Sequence, residues 1–281
     1  MKVYVFPGQG SQSIGMGKEL FDNYREYCDQ ADEILGYSIK KLCLEDPKKV
    51  LSNTAFTQPA LYVVNALYYL KKIQEEPGAP DYLAGHSLGE YNALFAAGAF
   101  SFETGLQLVK KRGELMSKVS GGGMAAVLGI NYSEIKKILS SFSLDAIDIA
   151  NINSFTQIIL SGPVEDLNKA EAIFEDKQIM FISLAVSAPF HSRYMKKITD
   201  EYELFLKKFT FNPLKIPVIS NISARPYEEH AIIYNLKEQL SSSVQWLETI
   251  RYLQSKGEVR FEELGPGNVL KNINMNIMNG K

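Results

Sequence analysis

Apolar and polar positions along this chain follow two rhythms. Short strand-like runs occur at 3–6 and 80–84, with the length and bulk of buried strands. Between and after them, apolar residues recur three and four apart at 17–36, 59–75, 90–97 and 101–118, the spacing of helices with one buried stripe. Pro59 predicts the first turn of its helix, where a missing N–H costs nothing, and Gly36 predicts the end of the helix before it. The same alternation returns towards the C-terminus. Strands are expected at 217–221 and 260–264, helices at 193–209, 229–241 and 246–256, and a last helix after Gly265-Pro266-Gly267. Strands alternating with helices predict a parallel sheet covered on both faces, an α/β arrangement.

Residues 121–186 run differently. A strand at 124–130, a helix at 132–142, strands at 147–151 and 157–161, a helix at 164–174 and a strand at 179–186 give the order β-α-β-β-α-β. That is the order of a ferredoxin-like subdomain. Gly121-Gly122-Gly123 before it predicts a hinge or linker. The expected organisation is a large domain built from 1–120 and 187–281, with a ferredoxin-like subdomain at 121–186 inserted between its halves.

Composition changes this picture little. The chain has 281 residues, 46% hydrophobic and 22% charged, enough for a sizeable core. A formal net charge of -2 gives no support for nucleic acid or an anionic membrane as the main partner. Cys28 and Cys43 are too few for a disulfide framework and read as reduced, buried thiols. His86, His191 and His230 are scattered without metal-ligand spacing, so no metal is expected. No apolar run reaches the roughly 18–20 residues that cross a bilayer. The N-terminal strand is too short for the apolar core of a secretion signal. A cytoplasmic protein, monomeric by default, is expected.

The chemistry concentrates at Gly85-His86-Ser87-Leu88-Gly89, a G-x-S-x-G pattern between an expected strand and an expected helix. Such a turn lifts the serine hydroxyl clear of the backbone, and the following helix aims its N–H groups at the site. A serine nucleophile needs a base. His86 adjoins the serine and should point elsewhere, and His230 lies in the acidic stretch Glu228-Glu229-His230. His191 remains, where the chain re-enters the large domain. No aspartate or glutamate stands out as a third member, although a backbone carbonyl can orient an imidazole. Arg112 follows Lys110 and Lys111. Alone it reads first as part of a solvated helix face and only second as a two-pronged clamp for a carboxylate.

Phe6-Pro7-Gly8-Gln9-Gly10-Ser11-Gln12, Thr57-Gln58-Pro59-Ala60-Leu61, Gly85-His86-Ser87-Leu88-Gly89-Glu90, Arg112-Gly113, Phe190-His191-Ser192 and Gly265-Pro266-Gly267 together resemble the malonyl-CoA:acyl carrier protein transacylases. The likeness spans essentially the whole chain and is nearest to the free-standing acyltransferases that serve polyketide synthases. It implies an α/β-hydrolase-like large domain. It also implies a ping-pong reaction in which Ser87 takes the malonyl group from malonyl-CoA, with His191 as base. The phosphopantetheine thiol of a carrier protein then removes it, with no cofactor. The resemblance implies an oxyanion hole from the N–H groups of Gln9 and Leu88, Arg112 on the malonyl carboxylate, and the main-chain carbonyl of Gln239 on His191. Gln58 and Asn153 match positions near the acyl pocket. Phe190 beside the base resembles the malonyl-selective form and should crowd an α-methyl group, although Ala188-Pro189 before it depart from the related motif. Lys110, Lys111, Lys196 and Lys197 are candidates for docking an acidic carrier.

Two further readings remain open. A hydrolase on the same scaffold would use water in place of the carrier thiol, but gains nothing from a buried unpaired guanidinium. A non-catalytic docking module would not need Ser87, His191, Gln9 and Arg112 together. An ordinary esterase of the α/β-hydrolase fold would place an acid between serine and histidine, where this chain has its ferredoxin-like pattern.

Overall fold

The computed structural model describes residues 1–228 and 230–280. The first stretch of chain contains β1 (Lys2–Phe6), α1 (Arg25–Leu35), α2 (Ile39–Glu45), α3 (Thr54–Glu75), β2 (Tyr82–Gly85), α4 (Gly89–Ala96) and α5 (Phe102–Ser117). The middle contains β3 (Gly122–Leu128), α6 (Tyr132–Ser141), β4 (Asp148–Ile152), β5 (Gln157–Pro163), α7 (Val164–Asp176) and β6 (Met180–Ser183). The last part contains α8 (Lys196–Leu206), β7 (Val218–Ile219), α9 (Ile232–Gln239), α10 (Trp246–Gln254), β8 (Arg260–Glu263) and α11 (Val269–Met278).

Two four-stranded sheets result. The first, in the order β7-β2-β1-β8, is parallel throughout. The central strand β1 shows why. Tyr4 and Phe6 enter one buried cluster with α3 and α5, while Val3 and Val5 enter another with Trp246, Ile250 and Leu270. With alternate side chains buried on opposite faces, each of the four positions from Val3 to Phe6 must carry an apolar or aromatic side chain. The second sheet, β4-β5-β3-β6, is antiparallel, and α6 and α7 cover one of its faces through Val127, Ile135, Leu160 and Phe174. Its connectivity and strand order are those of a ferredoxin-like unit. An α/β fold with a parallel sheet and a separate antiparallel sheet is therefore what the alternation predicts.

Several boundaries differ from expectation. Residues 17–24 form turns before α1 begins, because Gly15 and Gly17 sit at φ of 92° and 73°, outside the helical region. Pro59 lies in the second turn of α3 rather than its first. The Asn53 side chain accepts from Ala55 N at 3.0 Å, and that cap starts the helix upstream of the proline. α2 carries no long periodicity and was not expected; Ser38 caps it by accepting from Lys41 N. β6 leaves the ladder after Ser183, and α8 is preceded by a 3₁₀ turn at Arg193–Met195. Glu229, the expected start of α9, lies outside the described residues.

The triple glycine is not a linker. Gly122 and Gly123 are strand residues paired with Pro163 and Gly162. A Cβ on Gly122 would lie 2.7 Å from Pro189 and 2.8 Å from the Gly162 oxygen, so close packing selects glycine here. Cys28 and Cys43 are buried and unpaired, and no described helix is long and apolar enough to cross a membrane.

Candidate active site

The parallel register lines up the ends of four strands. Phe6 pairs with Gly85, Ala84 with Ile219, and Val5 with Glu263. The loops that leave these carboxyl ends carry Gln9, Ser87 and Asn221, the usual placement of a site in an open α/β sheet. Ser87 stands at φ 51°, in the left-handed region, so its turn is strained. Glycines make the turn possible. A Cβ on Gly85 would meet the Gly89 carbonyl carbon at 1.9 Å, and one on Gly89 would meet the Phe6 oxygen at 2.0 Å. A Cβ on Gly8 would lie 2.4 Å from the His86 oxygen and 3.6 Å from Leu88 N. The loop after β1 therefore rests on the elbow, with Gln9 next to Gly8. Among the described residues, the N–H groups of Gln9 and Leu88 donate to no protein acceptor.

Ser87 Oγ and His191 Nε2 are 2.7 Å apart. His191 Nδ1 donates to the Gln239 main-chain oxygen at 2.8 Å, which leaves Nε2 as the lone-pair acceptor for the serine hydroxyl. His191 is also left-handed, at φ 57°. Burial, then the positive charge of Arg112, push its pKa down to about 3. The ring is thus neutral near pH 7, the form that a base requires.

Arg112, on α5, is 1% exposed and forms no ion pair among the described residues. Its NH1 donates to Gln58 Oε1 at 2.8 Å, and its NH2 donates to Ser87 Oγ at 3.1 Å and to Gln239 Oε1 at 2.9 Å. Its Nε has no partner. Tyr91 lies under the guanidinium at 5.5 Å, a cation–π contact. Three uncharged acceptors hold a buried cation whose Nε hydrogen has no protein partner.

Other candidates sit further out. Gln58 reaches Arg112 and, through Nε2, the Met116 sulfur at 3.2 Å. Asn153 bonds His86 Nε2 at 2.8 Å, and that ring lies tilted against Trp246 with centroids 5.5 Å apart. Gln9 donates its side-chain amide to Thr54 at 3.2 Å. Phe190 is buried and walls a 380 Å³ cleft with Asn53, Thr54, Ser117 and Val186. His191 borders a second cleft of 360 Å³ with Tyr132, Lys136 and Lys196. Lys110 donates to the Ile34 oxygen and Lys111 pairs with Glu201, so both are engaged, while His230 is exposed.

The sequence reading missed two residues. Asn221 accepts from Ser87 N at 2.7 Å and donates to the Gly85 oxygen at 2.6 Å, bracing the elbow. Glu90 is fully buried, one helical turn after Ser87. Its carboxyl accepts from Asn221 N at 3.0 Å, from the Tyr227 hydroxyl at 2.7 Å and from the Gln239 side-chain amide. Burial raises its pKa to about 7. An acid at the fourth position after the motif's first histidine is a legible signal, but nothing in sequence shows that it is buried. Among the described residues, no cluster of three His, Cys, Asp or Glu could hold a metal.

A serine on a strand–turn–helix elbow, bonded to a buried neutral imidazole and flanked by two unused backbone donors, can form and break an acyl ester. That is the class the fold and site define. The chain belongs to the acyl transferase domain family, whose model matches residues 3–274. It is 58% identical to the polyketide biosynthesis malonyl CoA-acyl carrier protein transacylase of Bacillus subtilis strain 168, over 96% of this chain and 94% of that one. It is 40% identical to the malonyl CoA-acyl carrier protein transacylase of a Synechocystis strain, over 95% and 90% of the two chains. Among solved structures, that of a malonyl CoA-acyl carrier protein transacylase from Burkholderia pseudomallei matches with a TM-score of 0.97 at 44% identity, covering 100% of this chain and 99% of that one. A malonyl-transacylase solved in complex with its type II polyketide synthase acyl-carrier protein matches at 0.94 and 30% identity, covering 99% and 93%.

Proposed function

We propose that this protein transfers a malonyl group from malonyl-CoA to the phosphopantetheine thiol of an acyl carrier protein, supplying extender units for polyketide assembly. The observation that carries it is Arg112, a buried guanidinium one hydrogen bond from the reactive hydroxyl. A site for neutral acyl chains would gain nothing from a guanidinium buried beside its nucleophile, and burying a charge is costly.

Ser87 Oγ attacks the thioester carbonyl as its proton passes to His191 Nε2. The oxyanion is held by the N–H groups of Gln9 and Leu88. Collapse expels the CoA thiolate, which takes the proton from His191. The carrier thiol then gives its proton to His191, attacks the malonyl-serine ester, and the reverse collapse returns the proton to Ser87. The Gln239 carbonyl keeps the ring in the required tautomer throughout. Lys196, beside the cleft at His191, and Lys197 remain as basic groups for an acidic carrier.

The test is intact-protein mass after brief mixing with malonyl-CoA. Wild type should gain a malonyl group and Ser87→Ala none. An adduct on Ser87→Ala would overturn the serine ester, and free malonate accumulating without an adduct would favour a hydrolase. Phe190, the residue before His191 in the chain, should make methylmalonyl-CoA poorer by about 10–200-fold in kcat/KM, the range a methyl clash supplies. Equal kcat/KM for the two thioesters would remove that role.

A further inference from the structure

Gln239 touches four residues of the site at once. Its carbonyl orients His191, its side-chain oxygen accepts from Arg112, and its side-chain amide donates to the Ser87 oxygen and to Glu90. Only one orientation of the amide serves all of these: oxygen towards the guanidinium, nitrogen towards the two acceptors. Arg112 and Glu90 are thus linked through one amide and do not touch. A direct ion pair would occupy the donors that a substrate carboxylate must use. The relay compensates the buried cation without a direct ion pair, and the buried Nε of the guanidinium keeps a hydrogen with no protein partner.

We propose that Glu90 is the exchangeable counter-charge of the acyl site: ionised opposite Arg112 while the site is empty, and protonated once a substrate carboxylate occupies the guanidinium. This rests on the malonyl reading above. Two anions cannot share one buried cation without cost, and of the two only Glu90 can take a proton near neutrality. Its surroundings single it out. His191 starts from about 3 and His86 lies below the ordinary imidazole value, both through burial. Burial pushes Tyr91 to about 12, and Tyr202 and Tyr227 well above the ordinary phenol value. Glu90, raised to about 7 by burial, is the group of this cluster poised to titrate. The Tyr227 hydroxyl, which donates to Glu90, can turn to accept the new proton.

The bond exchange itself conserves protons below the pKa of the CoA thiol: the serine proton leaves on CoA. Any net uptake during loading therefore reports a protein group. Charges roughly 10 Å apart at an effective dielectric of about 20 couple by about tenfold or slightly more. A shift of that size from about 7 predicts uptake of roughly half a proton per malonyl-serine at pH about 7.5. The experiment loads the enzyme stoichiometrically with malonyl-CoA in weak buffer containing a pH indicator, and reads the adduct by mass in the same samples. Wild type should take up protons and Glu90→Gln, with the same shape and no ionisable group, should not. The wild-type loading equilibrium should also weaken about tenfold between pH 6 and pH 9, a trend that a purely structural carboxyl would not produce. Loading without uptake in wild type overturns the proposal, as does uptake retained in Glu90→Gln. A wild type that gains no malonyl mass overturns the malonyl reading, and the counter-charge role with it.

Discussion

His191→Ala is expected to slow malonyl loading of Ser87 by about 10⁴-fold or more, the scale seen when one member of a serine–base unit is removed. The serine hydroxyl has one group positioned to take its proton, Nε2 at 2.7 Å. Arg112, the other neighbour of that oxygen, is a donor and cannot accept. The oxyanion donors would survive the substitution and leave a residual rate, so the loss should appear in kcat with KM for malonyl-CoA little changed. Single-turnover mass spectrometry checks this. A His191→Ala enzyme that loads within tenfold of wild type would show that the base is another group.

Arg112→Ala is expected to lower kcat/KM for malonyl-CoA by about 10³-fold, from the roughly 2–5 kcal/mol lost when one partner of a buried charge pair is truncated. Acetyl-CoA, which offers no carboxylate, should lose far less, so the two thioesters should approach parity. The variant should also shift the pH profile. Burial is the main cause of the low His191 pKa and the Arg112 charge is the next. Removing that charge raises the folded-state pKa, so the acid limb, where the base becomes protonated, should move to higher pH. Measuring kcat/KM for both thioesters from pH 4 to pH 8 tests both parts. Equal losses for the two substrates would assign Arg112 a structural role.

The sites of these predictions differ in how visible they were beforehand. Ser87 was legible because a strained turn demands glycine on both sides, and glycine is visible in sequence. Gly85 and Gly89 are the residues whose Cβ atoms would strike the backbone at 1.9 and 2.0 Å. His191 was reachable by elimination among three histidines. Arg112 was ambiguous, because a helix with Lys110, Lys111 and Arg112 in a row presents successive residues to different faces. Lys111 pairs with Glu201 and Arg112 is buried, a difference of one residue that no periodicity argument resolves. The triple glycine misled for a related reason: a glycine selected by a neighbour from another strand looks the same as one selected for flexibility.

The sequence by itself determined which elements form and in what order. Strand and helix periodicities, and the turns that end them, depend on residues a few positions apart, and those interactions are local. The β-α-β-β-α-β order within an α/β frame, the elbow and the serine it carries all belong to this kind. Only the tertiary structure decided what joins residues far apart in the chain. Glu90 and Gln239 are 149 residues apart and share a hydrogen bond, and Asn221 braces a serine 134 residues away. A buried acid is set by its desolvation and its donors, and both are properties of everything packed around it. Glu90 therefore became visible as a charge facing Arg112 through Gln239 only when three distant segments met at the ends of one parallel sheet.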